Sequence, residues 1–151
     1  MTRTEEILRA LQRNLQAAGM VVRRNAQLDD VLEEIAAGEA GKIGAALILR
    51  DGQGVLVEQY LGSGSGDFEV AHRAEVEWIV AGREGDEIER AFDAGLVQIA
   101  AIVRSDPNLG GLVLACRIVN PPERGFDELG AKIAKSALIE IEAQFHSPDP
   151  F

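Results

Sequence analysis

A chain of 151 residues, 46% apolar and 26% charged, has the length of one domain and the composition of a globular one, which excludes disorder and a fibrous repeat. Lys and Arg number 15 against 25 Asp and Glu, a net charge of −10. That balance argues against nucleic acid and anionic membrane surfaces, since both are bound by a basic face that displaces counterions.

The chain begins as helix. Over 4–18, Ile7, Leu8, Leu11 and Leu15 recur at helical spacing, Thr4 stands as N-cap before Glu5 and Glu6, and Gly19 is placed to end the helix. A shorter helix is predicted over 28–37 on Leu28, Val31, Leu32 and Ile35, broken by Gly38 and Gly41. Ile43–Leu49 and Val55–Leu61 read as two strands of a hairpin turning at Asp51-Gly52, with 62–67 (GSGSGD) as a flexible connection to the next segment. The spacing of Phe68, Val70, Ala71, Val76, Trp78, Ile79 and Val80 fits a helix to about Ala81 or a short strand at 76–80, and the helix is favoured. A short helix is predicted over 86–92, then strands over Leu96–Val103 and Gly111–Asn120, the second stopped by Pro121-Pro122. A closing helix is predicted over 127–145, with Leu129, Ile133, Ala134, Ala137, Leu138, Ile141 and Phe145 as its apolar stripe. The expected fold is therefore α+β in a single domain over 1–151: helices in 4–37, an antiparallel sheet of about four to six strands over 43–120 with an inserted helical segment, helices packed on one face, and a C-terminal helix over 127–145.

Little in this chain has the spacing of a catalytic site. Gly62-Ser63-Gly64-Ser65-Gly66 puts its third glycine one residue early for a dinucleotide fingerprint, and Asp67 would repel a pyrophosphate. None of Lys42, Lys132 and Lys135 ends a phosphate-binding loop. His72 and Glu75 would share one helix face, but three metal ligands do not assemble, and His146 lies toward the tail, so no metal is expected. Cys116 alternates with Leu112, Leu114 and Ile118, among which a thiol is inert, and a lone cysteine suits a reducing cytoplasm. Glu5 and Glu6 rule out a signal peptide, no apolar stretch approaches a membrane span, and no catalytic residue, and hence no enzyme, is expected. Arg117, a charge within an apolar strand, either meets solvent on an open sheet face or reaches a carboxylate or anionic ligand. Residues 67–93 hold nine acids against three arginines, a net −6, which is either a solvated face or a docking surface for a basic partner. Trp78, within that stretch, is either a core anchor or an interface residue.

The segments Leu28–Ile35 with IGAALILRDGQGVLVEQ, then LVQIAAIVRSDPNLGGLVLACRIV, then FDELGAKIAKSALIEIEA resemble the GAF, PAS and Cache group of sensory domains, with Gly110-Gly111-Leu112-Val113-Leu114 standing where GAF domains turn into their last strand. This resemblance implies a cytoplasmic signalling domain that binds a small molecule and acts as a homodimer through its terminal helices. No cysteine stands where bilin-binding members attach their chromophore, and no cofactor is specified. Tyr60, His72, Trp78, Gln98 and Arg117 are the candidate pocket residues, as polar or aromatic groups beside apolar walls. The order of elements, and GAALILRDGQGVLVEQ in particular, is also similar to the roadblock/LC7 domain, which implies a profilin-like fold and a homodimeric scaffold that regulates a small GTPase. That family usually has three strands after its middle helix, whereas two are read here.

Overall fold

Alternation with a period of two runs through two long stretches of this chain. His72, Ala74, Val76, Trp78 and Val80 alternate with Arg73, Glu75 and Glu77, and Ala137, Ile139, Ile141, Ala143 and Phe145 alternate with Leu138, Glu140, Glu142 and Gln144. Side chains at that spacing divide between the two faces of a strand. The computed structural model, which describes residues 1–38, 43–60, 67–129, 132–149 and 151 (side chains of 36, 58–60 and 129 excepted), places both stretches in strands.

The elements follow in the order α1 (Arg3–Ala17), β1 (Val22–Arg24), α2 (Leu28–Ala36), β2 (Gly44–Tyr60), β3 (Asp67–Gly82), α3 (Gly85–Ser105), a 3-10 turn at Leu109–Gly111, β4 (Ala115–Ile118), β5 (Glu123–Leu129) and β6 (Lys132–Ser147). The sheet has the order β1-β2-β3-β6-β4, and β5 adds to β6 farther along the same side. β1 lies parallel to β2, and the other pairings are antiparallel. The fold is thus α+β, with helices packed on a mixed sheet.

Register decides which side chains are covered. Leu47, Trp78 and Ala137 lie opposite one another across three strands, as do Leu49, Val76 and Ile139. This face is buried under α1, through Ile7, Leu8, Leu11 and Leu15, and under α3, through Ile88, Phe92, Ile99 and Val103. Those α3 positions recur every four or seven residues, the spacing of one helix face. Gly95 completes the stripe, because a side chain there would meet the Trp78 indole. The other face is covered at one end only, where Val31 and Leu32 of α2 pack on Ala46, Ile48, Ile79, Ala81 and Ala134.

Several local expectations are corrected. Residues 68–81 are β3 rather than a helix, and His72 and Glu75 consequently point to opposite faces. The helix of 86–92 and the strand of 96–103 are one helix, α3. Of the strand predicted over 111–120 only 115–118 pairs, since Gly110 and Gly111 adopt positive φ and hold a tight turn. The closing helix over 127–145 is the end of β5 and most of β6. Asp51-Gly52 lies inside the continuous strand β2, as a bulge between the pairs Arg50↔Glu75 and Gln53↔Arg73. Its glycine does take positive φ, at +69°, with a carbon at the Cβ position driven against the Arg73 carbonyl, but it bends a strand instead of reversing it. The connection at 62–67 falls, except for Asp67, outside the described residues. The N-cap of α1 is Thr2, not Thr4, and its hydroxyl accepts from the Glu5 amide at 3.2 Å. Among the described residues no helix is long and apolar enough to cross a membrane.

Candidate functional site

The five residues anticipated for a pocket are dispersed over the fold. Trp78 is buried beneath α3, its Nε1 donating to the Phe92 carbonyl at 3.2 Å, so it anchors the core. Gln98 lies exposed on α3 and donates to the Ala18 carbonyl at 3.0 Å, tying α3 to the end of α1. Tyr60 ends β2, and its side chain is among those not described. Arg117 stands on the uncovered face, its side chain 70% exposed and 3.7 Å from the Glu142 carboxylate. An open face and a carboxylate partner, the two alternatives for Arg117, hold together.

His72 is the one of the five in a polar cluster. Its Nε2 meets the carbonyl oxygen of Asp51 at the bulge. A carbonyl only accepts, so Nε2 carries the proton, leaving Nδ1 buried with no partner. Burial pushes the His72 pKa below the usual imidazole value, against the opposing pull of the Asp51 carbonyl and charge. The Asp51 carboxylate in turn accepts from Arg24 at 2.8 Å and from Asn25 at 3.0 Å, while the Asp51 amide donates back to Asn25 at 3.1 Å. Arg24 holds the Asp51 carboxyl below its usual range, and Arg24 followed by Arg9 does the same for Glu5. This cluster fixes the point at which β1 ends and β2 continues alone. It is built to hold a bulge, with each of its carboxylates already engaged.

The uncovered sheet face carries a ladder of ion pairs. Arg50 reaches Glu77 at 3.1 Å, and Arg73 spans Glu140 at 3.5 Å and Glu142 at 3.0 Å. Two acids of the 67–93 stretch, Glu75 and Glu77, therefore lie on this face beside arginines, and Asp86 and Glu87 sit in the first turn of α3, where the helix dipole favours them. Cys116 faces the other way into the core, and burial pushes its thiol up to about 11, as expected of an inert cysteine. No group of three or more His, Cys, Asp and Glu side chains could hold a metal among the described residues.

What the sequence reading missed lies at the two sheet edges. β1 covers β2 only as far as Leu49, so beyond Arg50 the outer edge of β2 has no strand beside it among the described residues. There Val55, Leu56 and Val57 stand 55%, 53% and 52% exposed, three apolar residues in succession on an open edge. At the opposite edge, Leu96, Val97 and Ala100 of α3 with Ile118, Pro122, Arg124 and Ile139 line an apolar cleft of about 310 Å³. A second cleft of about 210 Å³ continues it along β4, sharing Ala100 and Ile118 and adding Val103, Arg104, Cys116 and Arg117. The signal for the first edge was present: VLV follows Gly54 without the alternation that a half-buried strand requires. No family model and no curated protein matches this chain.

Proposed function

We propose that this protein works through protein contact, as a self-associating scaffold, in the class implied by the roadblock-like reading rather than by the sensory one. The observation that carries the proposal is the open edge of β2. Backbone donors and acceptors on an unpaired edge, flanked by three exposed apolar side chains, form a template for another strand. Natural edges of monomeric proteins are blunted by charge, proline, bulges or a covering element; Gln53–Val57 lies between bulges at Arg50/Gln53 and Leu56/Glu58 but has no charged residue and no proline. The anticipated ligand residues lend no comparable support to a small-molecule pocket, since none of them lines the larger apolar cleft beside α3 and only Arg117 lines the smaller one along β4.

The test is the mass of the protein in solution by light scattering after size exclusion. Wild type is expected at a multiple of 16.2 kDa at micromolar concentration. Leu56→Glu, a change at a half-exposed position, is expected to return it to the monomer with an unchanged far-UV circular dichroism spectrum. A wild-type chain that stays monomeric up to several hundred micromolar overturns the proposal.

A further inference from the structure

From the two edges together we infer that a second copy of this chain docks its β2 edge onto the β4 edge and the α3 cleft of the first, so that copies join head to tail. This rests on the self-association proposed above and identifies what receives the strand.

Three observations carry it. The first is parity. Leu56 pairs with Val70, whose side chain belongs to the helix-covered face, and the cleft is walled by Ile118 and Ile139 of that same face and by α3. A sheet that continues from one copy into the next keeps its faces aligned, so Leu56 of the incoming strand slides under Val97 and Ala100 of the receiving copy. The second is length: Gln53–Val57 is matched to β4, Ala115–Ile118, which pairs on one side only, with β6, among the described residues.

The third is charge. Each copy carries −10, so association needs a place where like charge is locally reversed. The receiving edge supplies one: Arg104 lines the cleft along β4, and Arg124 lines the larger one. The incoming segment is uncharged from Gln53 to Val57, and the next charges in the chain, Glu58 and Asp67, are both acidic. Because the two surfaces differ and lie at opposite edges of one sheet, the contact is heterologous, and repetition closes a ring or extends a filament.

Val97 is 68% exposed, and Val97→Glu puts a carboxylate in the cleft without disturbing the core. Leu56→Glu disables the incoming edge and leaves the cleft intact. Each variant alone is expected as a monomer by sedimentation velocity. An equimolar mixture of the two is expected to form a 1:1 complex of twice the monomer mass and nothing larger, since one good edge and one good cleft remain. If Val97→Glu assembles like wild type while Leu56→Glu does not, the edge pairs with itself, or with another surface, and the head-to-tail contact is overturned while the scaffold reading stands. If both variants are monomeric and the mixture is too, the head-to-tail contact is likewise overturned. A monomeric wild type overturns both.

Discussion

Gly95→Ala isolates the closest approach between helix and sheet. Gly95 faces the sheet in the middle of α3, where a Cβ would overlap Cε2, Cζ2 and Nε1 of Trp78. The indole cannot swing aside freely, because its Nε1 is hydrogen-bonded to the Phe92 carbonyl of the same helix and the residue is 6% exposed. Alanine in a helix interior is favoured over glycine by about 1 kcal/mol. Overpacking a filled core costs about 1–3 kcal/mol, and a clash with a pinned ring lies at the upper end of that range. The net expectation is a loss of about 1–2 kcal/mol, or about 2–8 °C in Tm for a domain of this size.

Gly85, at the start of α3, has nothing within 4 Å of a Cβ, so Gly85→Ala is the control and should be neutral or slightly stabilising. Trp78→Phe removes the ring edge that meets Gly95. In the double variant, Gly95→Ala should therefore cost about 1–2 kcal/mol less than it does alone. Urea unfolding followed by far-UV circular dichroism reads all four chains, including those without the single Trp. If Gly95→Ala stabilises the protein, or the two changes add within about 0.5 kcal/mol, the close contact is not what requires glycine.

The β2 bulge makes its own demand. Gly52→Ala combines a positive φ with a clash against the Arg73 backbone and should cost about 2 kcal/mol or more, whereas Gly54→Ala, with only ordinary contacts, should cost far less in the same urea assay. His72 sets a pH dependence. Its pKa is lower folded than unfolded, so the unfolded chain takes up the proton first, and stability present above about pH 6.5 is lost as the pH falls toward the folded value. His72→Gln should flatten the slope in that window and leave the separate loss that begins below about pH 4.5, where the unfolded chain protonates Glu5 and Asp51 before the folded chain does. An identical slope in both chains would remove His72 from the account. With a pKa of about 11, Cys116 is about one part in a thousand thiolate at pH 8. Its reaction with a disulfide reagent should be about 100-fold or more slower in the folded chain than in urea.

The early part of the fold was legible because α1 and α2 are amphipathic helices bounded by glycines. The errors arise where one set of residues satisfies two periods. Ile133, Ala134, Ala137, Leu138 and Ile141 fit a helical stripe, yet Ile139 to Phe145 also alternate strictly, and the alternation prevails because β6 is paired on both sides. Over 68–81 the good helix formers Arg73, Glu75 and Glu77 favour a helix by local propensity, yet they stand in β3, where Arg73 meets Glu142 and Glu77 meets Arg50 across strands. In α3, the run LVQIAAIV reads as a buried strand when cut at Leu96, whereas Ile88, Phe92, Ile99 and Val103 taken together give a helix face. The proposed sites show the same division. Cys116 is readable from its apolar neighbours, whereas Trp78, which the sequence leaves as core anchor or interface residue, is decided by α3 packing over it, and the cleft beside α3 is assembled from four elements that no local pattern brings together.

The excess of acid explains why exposed apolar surface at the edges matters. On the uncovered face, Arg50, Arg73 and Arg117 meet Glu77, Glu140 and Glu142, with Glu77 and Glu142 largely buried and the arginines partly exposed. Their effect is on what can approach. A sheet face of paired charges offers a second copy little apolar area to bury, and its surplus carboxylates repel it. The acids at the start of α3 do the same at that end of the molecule. In the proposed contact, approach is left to the edge where Gln53–Val57 has no charge and to the edge where arginines line an apolar cleft. The proposed self-association is compatible with a high net charge, because charge is absent from the proposed incoming edge, Gln53–Val57, and positive at the proposed receiving one, where Arg104 and Arg124 stand.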